Sequence, residues 1–224
     1  MKKVIMTVDV EGHDGSDPVT HLIMGKTVDG TSYGIGKLMD IFDYHHIKGL
    51  FFVDIAEAWD YGEAEIATVL RYIKGRGHDC GVHIHPDHMA DTNRLFLWEY
   101  TKNEQREIIK KCTDFYIKIL GEKPKAFRAG KYGANRDTLD ILVENGYLCD
   151  FSEFVGQRWC QIEPPVAYNK ATRLSSGLLE FPVTSYKSFT FGSYCRNDKL
   201  DASMAMNEFR YLVPRLVMED CVDP

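Results

Sequence analysis

The chain has 224 residues, a formal net charge of −6 from 27 Lys+Arg against 33 Asp+Glu, and a hydrophobic share of 44%. Length and composition suit a globular fold and exclude a disordered or collagen-like chain. An acidic balance without a basic block leaves no electrostatic footprint for nucleic acid or an anionic membrane, so a small molecule or oligosaccharide is the expected partner.

The start of the chain, two lysines and a short apolar run, lacks the h-region of a secretory signal. No run of about 18 apolar residues is present to span a membrane. The expectation is a cytoplasmic protein of one domain, residues 1–224. Its six cysteines (Cys80, Cys112, Cys149, Cys160, Cys195, Cys221) form no C-x-x-C pair and read as reduced thiols, mostly buried.

In chain order, residues 3–9 read as a short buried strand. A polar, glycine-rich stretch from Glu11 to Gly34 follows, long enough to suggest a functional loop. A helix is expected at 35–47, with Ile35, Leu38, Met39, Ile41 and Phe42 on one face, then a strand at 49–53. The alternation continues with a helix at 62–75, a strand at 79–84, a helix at 103–120 capped by Gly121, and a strand at 125–128. A helix at 136–145, with Leu139, Leu142 and Val143 inward, leads to a strand at 147–151. Beyond a Gly-, Pro- and aromatic-rich region, a strand is expected at 178–184, a helix after 203 and a last strand from Leu216. Such β–α alternation predicts a parallel sheet with crossover helices, in which chemistry gathers at the carboxyl ends of the strands.

Three polar clusters fall at those ends. Asp9 and Glu11 are two apart on an extended chain, so both carboxylates can face one site; capping or turn acids are the alternative. In Gly81-Val-His-Ile-His-Pro-Asp-His88, His83 and His85 are likewise two apart and can share one ion. Two imidazoles and a carboxylate from another strand, Glu11 or Asp9, make a set that suits Zn²⁺, Mn²⁺, Co²⁺ or Fe²⁺. His88 falls off this alternation and reads as a loop or supporting residue. In Phe127-Arg-Ala-Gly-Lys-Tyr-Gly-Ala-Asn135, Arg128 can pair with a carboxylate and keep it ionised, and Asn135 reads as a helix cap. All eight histidines fall within the first 88 residues.

Together these motifs resemble the NodB-homology polysaccharide deacetylase superfamily, similar to carbohydrate esterase family 4. The resemblance rests on Thr7-Val-Asp-Val-Glu11, Gly49-Leu-Phe-Phe-Val53, Gly81-Val-His-Ile-His-Pro86, Phe127-Arg-Ala-Gly130 and Leu179-Glu-Phe-Pro-Val-Thr184. It implies an α/β fold, a distorted (β/α) barrel of about seven parallel strands. It also implies that Asp9 is the catalytic base, that Arg128 orients it, and that Glu11, His83 and His85 hold a divalent metal, zinc or alternatively Mn, Co or Fe. Val10 replaces the family's usual second aspartate, which leaves the split of roles between Asp9 and Glu11 open.

The activity implied is hydrolysis of an amide, N-deacetylation or N-deacylation, on a sugar or polysaccharide precursor such as those of lipopolysaccharide or O-antigen biosynthesis. The alternatives are a metal-independent amidohydrolase of a cyclic amide or ureide, and a catalytically silent carbohydrate-binding protein. The family's acid is a histidine near the C-terminus, and here none follows His88. Three alternatives follow: His13 or His21 replaces it, the chain stops short of that motif and so lacks the last barrel element, or the chemistry differs. His13, Asp54, Lys131 and Tyr132 are candidates for contact with substrate. Tyr186, Phe189, Phe191 and Tyr194 either stack on a sugar or, as the simpler reading, pack in the core.

Overall fold

A computed structural model describes residues 4–12, 18–27, 29–89, 93–165, 169–192 and 194–201, together with 210, 212 and 213. The apolar strands build a seven-stranded sheet: β1 (Thr7–Val10), β2 (Leu50–Asp54), β3 (Asp79–Ile84), β4 (Ala126–Ala129), β5 (Cys149–Asp150), β6 (Thr172–Arg173) and β7 (Leu179–Glu180). Their spatial order is β1-β2-β3-β4-β5-β7-β6. Neighbours pair in parallel from β1 to β7, as crossover helices require, and β6 alone runs antiparallel, against β7. The helices are α1 (Ile35–Tyr44), α2 (Glu63–Gly75), α3 (Lys102–Leu120) and α4 (Arg136–Glu144).

Central strands covered on both faces must be apolar throughout, and β2 obeys this: Phe51, Phe52 and Val53 have no exposed surface. Phe51 and Val53 join the large core between sheet and helices, whereas Phe52 packs on the other face with Ala126 and Phe151. Phe151 and Phe181 stack there with centroids 4.7 Å apart. A Cβ on Gly81 would lie 2.5 Å from the Phe52 ring, so this inner apolar floor needs a glycine in β3. The site stands on that floor.

Helix ends follow their chemistry. Thr101 and Glu104 close a reciprocal capping box on α3, and Gly121 ends that helix with φ 69°. Asn135 caps α4, its Oδ1 accepting from Thr138 N at 3.0 Å. Gln105 of α3 bonds both Asn135 and Thr138, tying the two helices together.

Several expectations are corrected. β1 begins at Thr7, and Val4, Ile5 and Met6 are exposed, because β2, its pairing partner, begins only at Leu50. Ile41 and Val143 face outward; Ile35, Met39 and Phe42 carry the inner face of α1, and Ile141 takes the inward place on α4. The loop after Glu11 contains a π-helical turn, Val19–Ile23. The strand expected at 178–184 shrinks to β7, ahead of Pro182, which has no N–H to donate. A hairpin of β8 (Ser185–Phe191) and β9 (Tyr194–Lys199) occupies the aromatic region. Phe189 and Phe191 are exposed on it, contrary to core packing.

Arg210, Leu212 and Val213 are helical, and the strand expected from Leu216 lies outside the described residues. Cys80 and Cys112 are buried and free, and Cys149 and Cys160 are half-buried and free. Among the described residues no helix is long and apolar enough to cross a membrane.

Candidate metal centre and its surroundings

Alternation along β3 sends Val82 and Ile84 into the core and turns His83 and His85 to the other face, where both imidazoles meet Glu11. Glu11 Oε2 lies 3.2 Å from His83 Nε2 and 2.8 Å from His85 Nε2. One ligand atom from each of the three residues falls within 4.8 Å of the others. Both histidines are buried, and Glu11 is half-buried.

The chemistry of this set fits a metal ion. His83 Nδ1 lies 2.9 Å from the Arg128 carbonyl, which can only accept, so Nδ1 carries the proton and Nε2 offers a lone pair toward a carboxylate oxygen. Two lone pairs facing each other need a cation between them, either a proton or a metal. Asp87 Oδ1 is buried with no hydrogen-bond partner among the described residues, 3.9 Å from His85 Nδ1, and it is the acceptor that the Nδ1–H of a ligating His85 calls for. Gly130 supplies the cradle: a Cβ there would lie 2.7 Å from His85 Cγ and 2.7 Å from the Ile84 carbonyl.

Charges follow the same geometry. Burial raises the Glu11 pKa, but hydrogen bonds from His83 and His85 outweigh it and hold the carboxyl far below the usual range. Burial depresses His83, yet the charge of Asp9 and the bond to Glu11 prevail and lift it to about 9. His85 stays below its ordinary value because burial dominates.

Beside this group Arg128, in register with His83, reaches across the sheet's inner face. Its Nη1 donates to Asp9 Oδ1 at 2.6 Å, its Nη2 to Thr7 Oγ1 at 3.0 Å, and its Nε to the Phe151 carbonyl at 3.2 Å. The guanidinium lies 4.5 Å from the centroid of Phe52, so the apolar floor and three acceptors fix it. Asp9 is thereby oriented next to, and not within, the Glu11–His83–His85 group. Thr7 and the Phe151 carbonyl went unnoticed in the sequence because nothing local to either marks a partner more than 20 residues away.

The remaining candidates divide. Lys131 Nζ lies 3.4 Å from His85 Nδ1, and Tyr132 meets the Phe154 ring edge-on at 5.4 Å. Both have positive φ, 51° and 59°, a sharp turn that turns them toward the site. Asp54 is fully buried and accepts from the Ala56 and His85 N–H groups, which removes it from direct contact with substrate. Exposed His21 engages the Lys26 carbonyl through Nδ1, and His13 lies outside the described residues. A cleft of about 540 Å³ opens next to the site, lined by Lys131, Tyr132, Phe154, Gln157, Trp159 and three residues of β9, Arg196, Asp198 and Lys199. Its aromatic surface comes from Tyr132, Phe154 and Trp159.

A polysaccharide deacetylase family model matches residues 25–149, a span that includes His83, His85 and Arg128. The chain belongs to the polysaccharide deacetylase family. A search of curated proteins gave no match. Among solved structures, one from Mycobacterium smegmatis assigned as a polysaccharide deacetylase superposes with a TM-score of 0.58 at 21% identity, covering 80% of this chain and 58% of that one. It shares the fold. A family 4 carbohydrate esterase from Streptomyces lividans, solved with acetate, gives a TM-score of 0.43 at 14% identity over 66% of this chain and 60% of its own. A family 4 pseudoenzyme from Bacillus anthracis gives 0.44 at 14% identity over 64% of this chain and 40% of its own. The chain therefore spans less than two thirds of the length of these structures.

Proposed function

We propose that the protein is a metal-dependent hydrolase that removes the N-acetyl group of an amino sugar or sugar precursor. The observation that carries this reading is the convergence of Glu11, His83 and His85 within 4.8 Å, beside an aspartate clamped by arginine. Glu11, His83 and His85 hold the ion, with zinc the first choice for two imidazoles and a carboxylate, and Mn, Co or Fe the alternatives. A divalent ion held there supplies Lewis acidity toward the acyl oxygen and the attacking water.

The chain's own residues do the rest. Asp9, oriented by Arg128, takes a proton from water as the water oxygen bonds to the acyl carbon. The carbon–nitrogen bond then breaks, acetate leaves, and the amine nitrogen gains a proton. Lys131, exposed at the rim with its Nζ 3.4 Å from His85 Nδ1, is the proposed donor of that proton. The cleft with Tyr132, Phe154 and Trp159 offers flat apolar faces on which a pyranose ring can rest.

The test is acetate release from N-acetylglucosamine oligosaccharides. Release should stop when a chelator strips the protein and return with Zn²⁺ or Mn²⁺. Undiminished release from metal-free protein would overturn the reading, and so would no release from metal-loaded protein.

A further inference from the structure

We propose that a second divalent cation binds beside the first site, held by Asp54, Glu57 and His88. One ligand atom from each of these residues falls within 4.8 Å of the others. Three separate segments bring them together: the end of β2, the 3₁₀ turn Ala56–Trp59 and the 3₁₀ turn Pro86–His88.

Each side chain is already oriented in the way a ligand must be. Asp54 has no exposed surface; its Oδ1 accepts from Ala56 N at 3.0 Å and His85 N at 3.3 Å, and its Oδ2 is buried with no hydrogen-bond partner among the described residues. Glu57 is equally buried and its Oε1 accepts from Gly12 N at 2.6 Å. His88 gives Nδ1 to Asp60 Oδ2 at 2.8 Å, the carboxylate–histidine arrangement that leaves Nε2 as a lone-pair donor.

Two fully buried carboxylates this close cannot both be charged unless a cation, a proton or a metal ion, lies between them. No lysine or arginine pairs with Asp54 among the described residues, and a divalent ion answers the need with the two oxygens and one nitrogen on offer. Such a mixed set suits Mn²⁺, Mg²⁺ or Zn²⁺. The ion would also brace the first site, because Glu57 grips the residue after Glu11 and Asp54 grips the backbone of His85. The inference does not depend on the deacetylase reading.

The experiment is equilibrium binding of Mn²⁺ to chelator-stripped protein, read as equivalents per chain, with folding checked by circular dichroism. Wild type should bind two equivalents. His88→Ala, at a half-buried position, and Glu57→Gln should each bind one, and His83→Ala should also bind one. In the His83→Ala protein, Mn²⁺ should still raise Tm. One equivalent in wild type that His83→Ala removes would overturn the proposal, as would two equivalents surviving in both His88→Ala and Glu57→Gln. A single equivalent lost in His88→Ala but kept in His83→Ala would sustain this site and instead remove the metal from the proposed hydrolytic centre.

Discussion

Gly130 leaves no space for a side chain, because a Cβ there would press on the His85 ring and the Ile84 carbonyl at 2.7 Å. Gly130→Ala should therefore displace His85 and weaken metal binding about 10- to 100-fold in a titration, and overpacking against the Ile84 carbonyl should cost about 1–3 kcal/mol of stability. An alanine protein with wild-type affinity would mean that His85 is not a ligand. Arg128 acts on a different atom: its side chain orients Asp9, whereas only its backbone carbonyl touches His83. Arg128→Lys should lower kcat by about 100-fold with metal content unchanged, since an ammonium cannot engage Asp9, Thr7 and Phe151 in one plane. At this scale the sequence was informative where partners are close along the chain. His83 and His85 share a face by strand alternation alone. Asp87 carried no such signal, because its relevance lies in a distance of 3.9 Å to a ring nitrogen that only the folded turn creates.

Helix caps set the frame that carries these residues. Asn135 closes α4 and also accepts from Gln105 of α3. Asn135→Ala should cost about 1–2 kcal/mol in a denaturant unfolding curve, because it strips one orphan N–H of its acceptor and opens the link between helices. A loss below a few tenths would show the cap to be replaceable. The caps were legible because Asn135 and Gly121 follow local rules of backbone chemistry. Strand β3 was legible to the residue, since an apolar run bounded by a glycine turn and Pro86 permits one reading. The β8–β9 hairpin was not: its exposed phenylalanines mimic core residues, and its pairing depends on a partner strand rather than a local period.

Across the whole molecule, the sheet concentrates buried acids at the carboxyl ends of its strands. Burial, then the charge of Asp150, raises Glu153 from 4.5 to about 7, and its Oε2 is buried with no hydrogen-bond partner among the described residues. A raised carboxyl binds its proton more tightly in the folded state. The cost of ionising it is absent below pH 4.5, grows as pH rises to about 7, and is complete above that. Glu153→Gln should hence stabilise the protein by about 1–3 kcal/mol at pH 8 and leave it nearly unchanged at pH 4.5. Thermal melts at the two pH values check this; equal shifts would assign the effect to packing. The parallel order of the strands was readable from β–α spacing, and β6 was not, because a two-residue strand has no period to read. Likewise the Asp54–Glu57–His88 group has no local pattern, since the register of β2 against β3 assembles it.

In the proposed reaction two acids two residues apart divide the labour: Glu11 with the metal, Asp9 with the proton. Asp9→Asn measures it most directly, by metal equivalents and acetate release on the same sample. Metal content should be unchanged and turnover should fall by at least about 1,000-fold. Loss of an equivalent of metal in Asp9→Asn would contradict it and make Asp9 the ligand.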